Sequence, residues 1–287
     1  MVDEKEFILK NPVWCPGCGH YAVLTALRRA VVKNNLKPEE IVLVTGIGCS
    51  SRFTDFFRSY GFHGIHGRAL PAAVGIKLAN PKLKVIVASG DGDTYAIGMS
   101  HFIHTARRNI GITHIVMNNQ IYGLTKGQYS PTSARGFISS TSPKGKIEKP
   151  IDGVLLALSA GATYIARGFS GNLDQLIRLI EGGLRHKGYA LIDVLSPCVT
   201  FNKLNTYEWF RKNTLDVEQI NHSPSNRLEA FKIILTSSKI PIGLIYQSTE
   251  DTFEELIANS IGGAPIDANI SLEENNYESL IREITNI

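Results

Sequence analysis

The sequence predicts an α/β protein: a doubly wound, mostly parallel sheet with a C-terminal extension. Three observations predict it. Five short runs rich in β-branched residues, Ile41–Thr45, Val85–Ala88, His114–Met117, Thr163–Ala166 and Ala190–Val194, are apolar without alternation, as strands buried on both faces are. Stretches with helical periodicity separate them. Turn-rich loops, Gly46–Ser51, Gly90–Asp93, Asn118–Gly123 and Ser196–Cys198, follow four of the runs, at the strand ends where open parallel sheets bind ligands.

Taken in chain order, Ala22, Val23, Ala26, Leu27, Ala30 and Val31 recur at helical spacing and place a helix before the first strand. Ala72–Leu78 gives a helix before the second strand, Ala96–Arg107 one after it, and Leu173–Leu184 one before the fifth. Residues 122–150 are rich in Gly, Ser, Thr, Pro and Lys without periodicity, and a loop of that length inside a compact domain is usually functional or mobile. From about Thr200 Asn, Glu and amphipathic stretches take over. There Phe231–Thr236 reads as a helix, Ile240–Tyr246 as a strand and Leu272–Ile287 as an acidic helical tail. The expected organisation is one α/β domain over residues 1–200 and an extension over 201–287 that contacts a partner or the domain itself.

Composition narrows the function classes. A chain of 287 residues can bury a sizeable core without disulfides, and 43% hydrophobic with 20% charged residues excludes disorder as its main character. No apolar run approaches the roughly 20 residues of a membrane-spanning helix. The start, Met1-Val-Asp-Glu-Lys-Glu, is acidic where a secretory leader is basic and then apolar, so a cytoplasmic protein is expected. The net charge of +4 contains no dense basic run, which argues for a solvated surface and against nucleic acid.

The loop Ser89-Gly-Asp-Gly-Asp93 carries chemistry. Glycines let backbone amides approach an anion, and a helix beginning near Tyr95 turns its positive end toward phosphate. Asp91 cannot bind phosphate directly, but a divalent cation between the two makes sense of it. Mg²⁺ takes one or two protein oxygens plus phosphate and water, and Asn119 and the Ile121 carbonyl supply further oxygens from the next strand end. The bland alternative is a pair of ordinary turns. The spacing of Gly-Asp-Gly and Asn-Asn, across a helix and a strand, resembles the diphosphate-binding motif of thiamine-diphosphate enzymes.

Four cysteines remain. Cys15-Pro-Gly-Cys18 precedes the first helix, Cys49 sits in the loop after the first strand and Cys198 follows the fifth. Four thiolates suit zinc or a [4Fe–4S] cluster; a dithiol pair with two buried small hydrophobes is the alternative. Cys49 shares a sheet edge with Gly90–Asp93. Beside a carbanion-generating cofactor zinc has no evident role, whereas an electron acceptor has one.

At this point the sequence resembles the β subunits of 2-oxoacid:ferredoxin oxidoreductases, in particular the short-chain archaeal type. The matching segments are Trp14-Cys-Pro-Gly-Cys-Gly-His20, Gly46-Ile-Gly-Cys-Ser50, His66-Gly-Arg-Ala-Leu-Pro71, Gly90–Asp93, Asn118–Thr125, Gly127-Gln128 with Ser130-Pro-Thr132, and Pro197-Cys198. The resemblance implies a thiamine-diphosphate-binding fold, with Cys15, Cys18, Cys49 and Cys198 on one [4Fe–4S] cluster and Asp91, Asn119 and Ile121 on Mg²⁺. It places Gly92 and Asp93 at the diphosphate, lines the thiamine with Ile47, Gly48, Cys49, Ser50, Gly123 and Leu124, and brings His66 to the cofactor. His66 and Lys126 are the candidates for catalytic roles, although a structural histidine and an exposed loop lysine explain them as well. Lys126 departs from many members of the family, which have glycine there; it is expected to meet a coenzyme A phosphate or the substrate carboxylate. The implied activity is coenzyme A-dependent oxidative decarboxylation of 2-oxoacids, pyruvate or 2-oxoglutarate, with electrons passed to ferredoxin. With one diphosphate-type domain and no second, the chain is expected to need an α subunit for the pyrimidine side. Two other readings stand beside this one: a non-oxidative thiamine-dependent decarboxylase with a zinc site, and a non-catalytic, metal-stabilised interaction subunit.

Overall fold

In a computed structural model, which describes residues 2–267, 281–283 and 285, eight strands form one sheet. The strands are β1 (Ile41–Thr45), β2 (Tyr60–His63), β3 (Lys84–Gly90), β4 (Ile112–Asn118), β7 (Tyr164–Phe169), β8 (Ala190–Leu195), β9 (Thr214–Asp216) and β10 (Ile240–Gln247). Their order is β2-β1-β3-β4-β8-β7-β10-β9. A separate hairpin joins β5 (Ile121–Tyr122) to β6 (Gln128–Tyr129). The first six strands of the sheet run parallel, and β10 adds antiparallel to β7. This is the predicted fold class.

Strands β1, β4 and β8 are buried along their whole length, which is why their sequences lack alternation. In β1, Ile41 and Leu43 join one core while Val42 and Val44 join the other. The first core is closed by α1 (His20–Lys33) and α6 (Leu173–Arg185), whose apolar faces also pack on each other. The second is closed by α3 (Ala69–Ala79), α4 (Met99–Arg107), α5 (Gly153–Ala160) and α8 (Arg227–Thr236). Short α2 (Phe53–Phe56) and α7 (Tyr207–Asn213) connect strands, and α9 (Phe253–Ile261) follows β10.

One expected helix starts later, one helix was not expected, and the extension contacts the domain itself. The helix expected from Ala96 starts at Met99, and a π-helical turn over Asp93–Ile97 precedes it. Val154–Ala160, too apolar to show a helical stripe, is α5, which starts where Asp152 caps the Val154 and Leu155 amides. The expected extension is continuous with the sheet as far as Gln247, because β10 pairs with β7 through residues 164–167. The acidic tail expected over 272–287 lies largely outside the described residues.

Polar groups inside the sheet are paired. Arg167, 5% exposed on β7, bonds Asp152 and lies 4.0 Å from Asp193 on β8, and Asp193 accepts from the Tyr95 hydroxyl at 2.6 Å. Breaking a buried ion pair from one side costs about 3–5 kcal/mol. Arg167→Met is therefore expected to destabilise the chain by that amount in a denaturant titration, whereas Arg178→Met, at an exposed pair with Glu218, moves it by less than about 1 kcal/mol.

Buried histidines give the chain an acid-sensitive stability. His114 bonds the Ser89 and Tyr189 hydroxyls at 2.7 Å each, and burial lowers its pKa from 6.5 to about 3. The unfolded chain takes up that proton below about pH 6.5 and the folded chain does not. Stability is complete above 6.5 and falls as pH drops toward 3, by about 1.4 kcal/mol per pH unit for each such site. His114→Gln should flatten the slope of unfolding free energy against pH between 6 and 4.5 by one proton; an unchanged slope contradicts the assignment.

Candidate active site

The site grows out of three adjacent strand ends. Since β1, β3 and β4 are parallel neighbours, the loops after Thr45, Gly90 and Asn118 emerge side by side. They enclose a cavity of about 350 Å³. Every residue expected at the thiamine or Mg²⁺ lines it: Ile47, Gly48, Cys49, Ser50, His66, Asp91, Gly92, Asp93, Asn119, Ile121, Gly123 and Leu124. Tyr122 and Thr125, which sequence reasoning did not single out, complete the wall. A larger cavity of about 580 Å³ lies beyond Asn118 and Thr132, against Arg167 and Trp209, but contains none of residues 46–50 or 90–93 and no cysteine.

The two aspartates of Gly90–Asp93 do different work. Asp93, 3% exposed, accepts from the backbone amides of Ile47 (3.2 Å) and Gly67 (2.8 Å), and His66 Nδ1 stands 2.8 Å from the same oxygen. Its carboxylate thus ties the β1 loop to the His66–Gly67 turn. Asp91, 1% exposed, accepts from the Ser130 and Thr132 hydroxyls, each at 2.5 Å to Oδ2. Burial pushes its pKa up to about 6, against the two hydroxyls that pull it down. An anion this costly to bury suits a bound cation.

On the facing loop the Asn119 side chain accepts from the Ile121 amide at 3.0 Å, which fixes the turn that offers the Ile121 carbonyl. Tyr122 closes over Gly92: its hydroxyl donates to the Gly92 carbonyl at 3.3 Å, and a Cβ on Gly92 would lie 2.2 Å from its ring. Only glycine fits beneath the ring. Burial, with Asp91 and Asp93 nearby, raises the Tyr122 pKa to about 12, so the phenol stays protonated.

The cysteines meet at one rim of the cavity. The Gly19 amide donates to the Pro197 carbonyl (3.2 Å), and His20 Nδ1 lies 2.9 Å from the Ser196 hydroxyl, so the Cys15–Cys18 turn is bound to the strand end before Cys198. Trp14 donates its indole N–H to the Cys49 carbonyl at 2.7 Å. A Cβ built on Gly123 would stand 3.6 Å from the Cys198 sulfur and 3.7 Å from that of Cys49. Burial pushes the Cys18 thiol up to about 12, against a backbone hydrogen bond at His20, and Cys198, Cys49 and Cys15 add to the rise. Burial and the neighbouring thiols raise the pKa of Cys18 and of Cys49, and such a cluster fits a cationic metal group, which holds thiols as thiolates. Among the described residues, no three His, Cys, Asp or Glu side chains are gathered tightly enough to hold a single ion.

Residues 46–194 match the thiamine pyrophosphate enzyme C-terminal TPP-binding domain, and residues 198–260 match the C-terminal region of pyruvate ferredoxin oxidoreductase β subunits. The chain is 43% identical over 259 residues to the 2-oxoacid:ferredoxin oxidoreductase subunit β of Saccharolobus solfataricus, covering 85% of each chain. It belongs to the β subunits of the 2-oxoacid:ferredoxin oxidoreductases. Subunit β of oxidoreductase 2 from Aeropyrum pernix is 40% identical, over 91% of this chain and 89% of that one. The solved 2-oxoglutarate:ferredoxin oxidoreductase of Magnetococcus marinus, with 2-oxoglutarate, coenzyme A and succinyl-CoA bound, superposes with a TM-score of 0.90 at 36% identity, covering 97% of this chain and 96% of that chain. This β subunit is therefore an oxidoreductase chain with a thiamine-diphosphate-binding domain. Among the described residues no helix is long and apolar enough to cross a membrane.

Proposed function

We propose that this β subunit carries the decarboxylation and electron-exit half of an enzyme that converts 2-oxoacids and coenzyme A to acyl-CoA and CO₂, reducing ferredoxin. One observation carries the reading: the Gly90–Asp93 and Asn118–Ile121 loops and the Cys49 loop line a single cavity, with Cys198 at its rim. When bound there, thiamine diphosphate supplies an electron sink for decarboxylation and a [4Fe–4S] cluster supplies one-electron acceptance.

The residues divide the remaining work. Asp91 and Asn119, with the Ile121 carbonyl, hold Mg²⁺; Gly92 and Asp93 meet the diphosphate; residues 47–50, Gly123 and Leu124 pack the thiamine. His66 is held at the cofactor by Asp93. Cys15, Cys18, Cys49 and Cys198 would hold the cluster, which would accept electrons one at a time. Ile47, Leu124 and Ile97 are 39%, 55% and 52% exposed, and the first two also line the cavity, so the α subunit closes the site over this apolar rim.

Co-expression with the α subunit tests the reading. A brown complex bleached by a 2-oxoacid only when coenzyme A is present, with no viologen reduction by the isolated chain, is expected. A colourless complex with stoichiometric zinc overturns it, and turnover across a panel of 2-oxoacids sets the substrate.

Lys126 adds a narrower expectation. It does not line the cavity, is exposed, and holds φ at 75°, a left-handed conformation that costs a side chain about 1 kcal/mol relative to glycine. Its reading as the contact for a coenzyme A phosphate or the substrate carboxylate explains why lysine is kept there. Lys126→Gly should raise stability by up to about 1 kcal/mol and raise the KM for 2-oxoacid or coenzyme A about tenfold. Unchanged KM for both removes the role.

A further inference from the structure

The segment between β6 and α5 has almost no regular structure, yet one side chain organises its start. Lys146 is 4% exposed, and its ammonium donates to the carbonyls of Ser130 (3.1 Å), Pro131 (2.7 Å) and Ser133 (3.0 Å). Those bonds use all three of its protons. The ammonium also lies 5.6 Å from the Tyr129 ring centre, and the Lys146 amide and carbonyl bond Phe137 and Gly136. The same turn is pinned from below: the Ser133 hydroxyl accepts from the Ser130 amide at 2.8 Å and donates to the Gln120 carbonyl at 2.5 Å.

What this turn presents is the pair of hydroxyls on Asp91. The Ser130 and Thr132 oxygens lie 3.1 Å apart, and both reach Asp91 Oδ2. Thr132 also lies 3.0 Å from the Asn118 side-chain oxygen, which ties the turn to the end of β4. Both hydroxyls converge on one carboxylate oxygen, so the carboxylate plane is set from behind and the lone pairs of Oδ1 stay outside this network. Lys146 itself lines neither the 350 Å³ cavity nor the 580 Å³ one.

We propose that Lys146 is a positioning residue for the divalent-cation site: its ammonium, caged by three carbonyls, holds the Ser130–Ser133 turn so that Ser130 and Thr132 orient Asp91 toward the cation. The inference rests on reading Asp91 as a Mg²⁺ ligand. A partner one step behind a metal ligand typically changes metal affinity 10- to 100-fold when removed. Lys146 acts at the near end of that range because it works through a second pair of groups.

The test uses the assembled αβ complex, stripped of cofactor and titrated with Mg²⁺ at fixed thiamine diphosphate, with cofactor binding read by calorimetry and not by turnover. Lys146→Met should raise the Mg²⁺ half-saturation about tenfold. Thr132→Val should do the same, and Thr132→Ser, which keeps the hydroxyl, should stay within about twofold of wild type. The double variant Lys146→Met/Thr132→Val should be no weaker than the weaker single, because both remove one arrangement. Additive losses, or an unchanged half-saturation in Lys146→Met, overturn the proposal. If Lys146→Met does not assemble, Lys146→Gln, which keeps amide donors without the charge, carries the same comparison. Asp91→Asn separates the two levels. If it leaves the half-saturation unchanged, the Mg²⁺ reading falls; if it shifts the value and Lys146→Met does not, only the role of Lys146 falls.

Discussion

Asp91→Asn is expected to abolish measurable turnover, lowering kcat/KM by at least about a thousandfold, while leaving the fold intact. The substitution keeps the shape of a side chain that is 1% exposed, and an amide can still meet the Ser130 and Thr132 hydroxyls. It removes the negative charge that a Mg²⁺–diphosphate pair requires. A charge-assisted contact in a dry site is worth several kcal/mol, which is why so small a change has so large an effect. Stability of the cofactor-free chain should be unchanged or higher, since an anion that burial penalises is gone. Turnover within tenfold of wild type at saturating Mg²⁺ would place the cation elsewhere.

Cys198→Ser should give the complementary phenotype. The complex is expected to lose its brown colour and its reduction of ferredoxin or viologen by more than about a thousandfold, because cluster assembly needs all four thiolates. Thiamine diphosphate binding should remain within a few-fold, since Cys198 is absent from the cavity wall and touches it only across Gly123. The two variants thus separate the halves of the site, one without cofactor and one without an electron exit. Visible absorbance and cofactor calorimetry on the same preparations distinguish them. Loss of both properties in Cys198→Ser would mean that the cysteine rim is needed to build the cavity itself.

The strand ends were legible because three apolar runs without alternation can only lie side by side in a buried parallel sheet, and the residues following them then share one edge. A shared edge brings Ile47, Asp91 and Asn119 together without knowledge of any side-chain position. Sequence pattern gives no such signal where structure is set by distant partners. Val154–Ala160 has apolar residues on every side and shows no stripe; its helix depends on the Asp152 cap and on burial between β7 and α4. The edge strand β2, Tyr60–His63, is exposed at all four positions and has no apolar signature. Ser130, Thr132 and Lys146 lie in a stretch without periodicity. The resemblance placed Ser130 and Thr132 in a motif without a task, and Lys146 reaches them only through tertiary folding. Asp93 was expected at the diphosphate; the contacts of its side chain with Ile47, His66 and Gly67 have no signal in the sequence.

The π-helical turn at Asp93–Ile97 has one more implication. A π turn is an α turn with one residue more than it needs. Each residue rotates an α-helix by about 100°, so deleting one position from this turn would swing the Gly90–Asp93 segment by that angle relative to α4. The direction in which the cofactor loop faces is therefore recorded as a count of residues. A neighbouring sequence could replace the exposed Ile97 and keep the orientation, but a frame of one residue less could not.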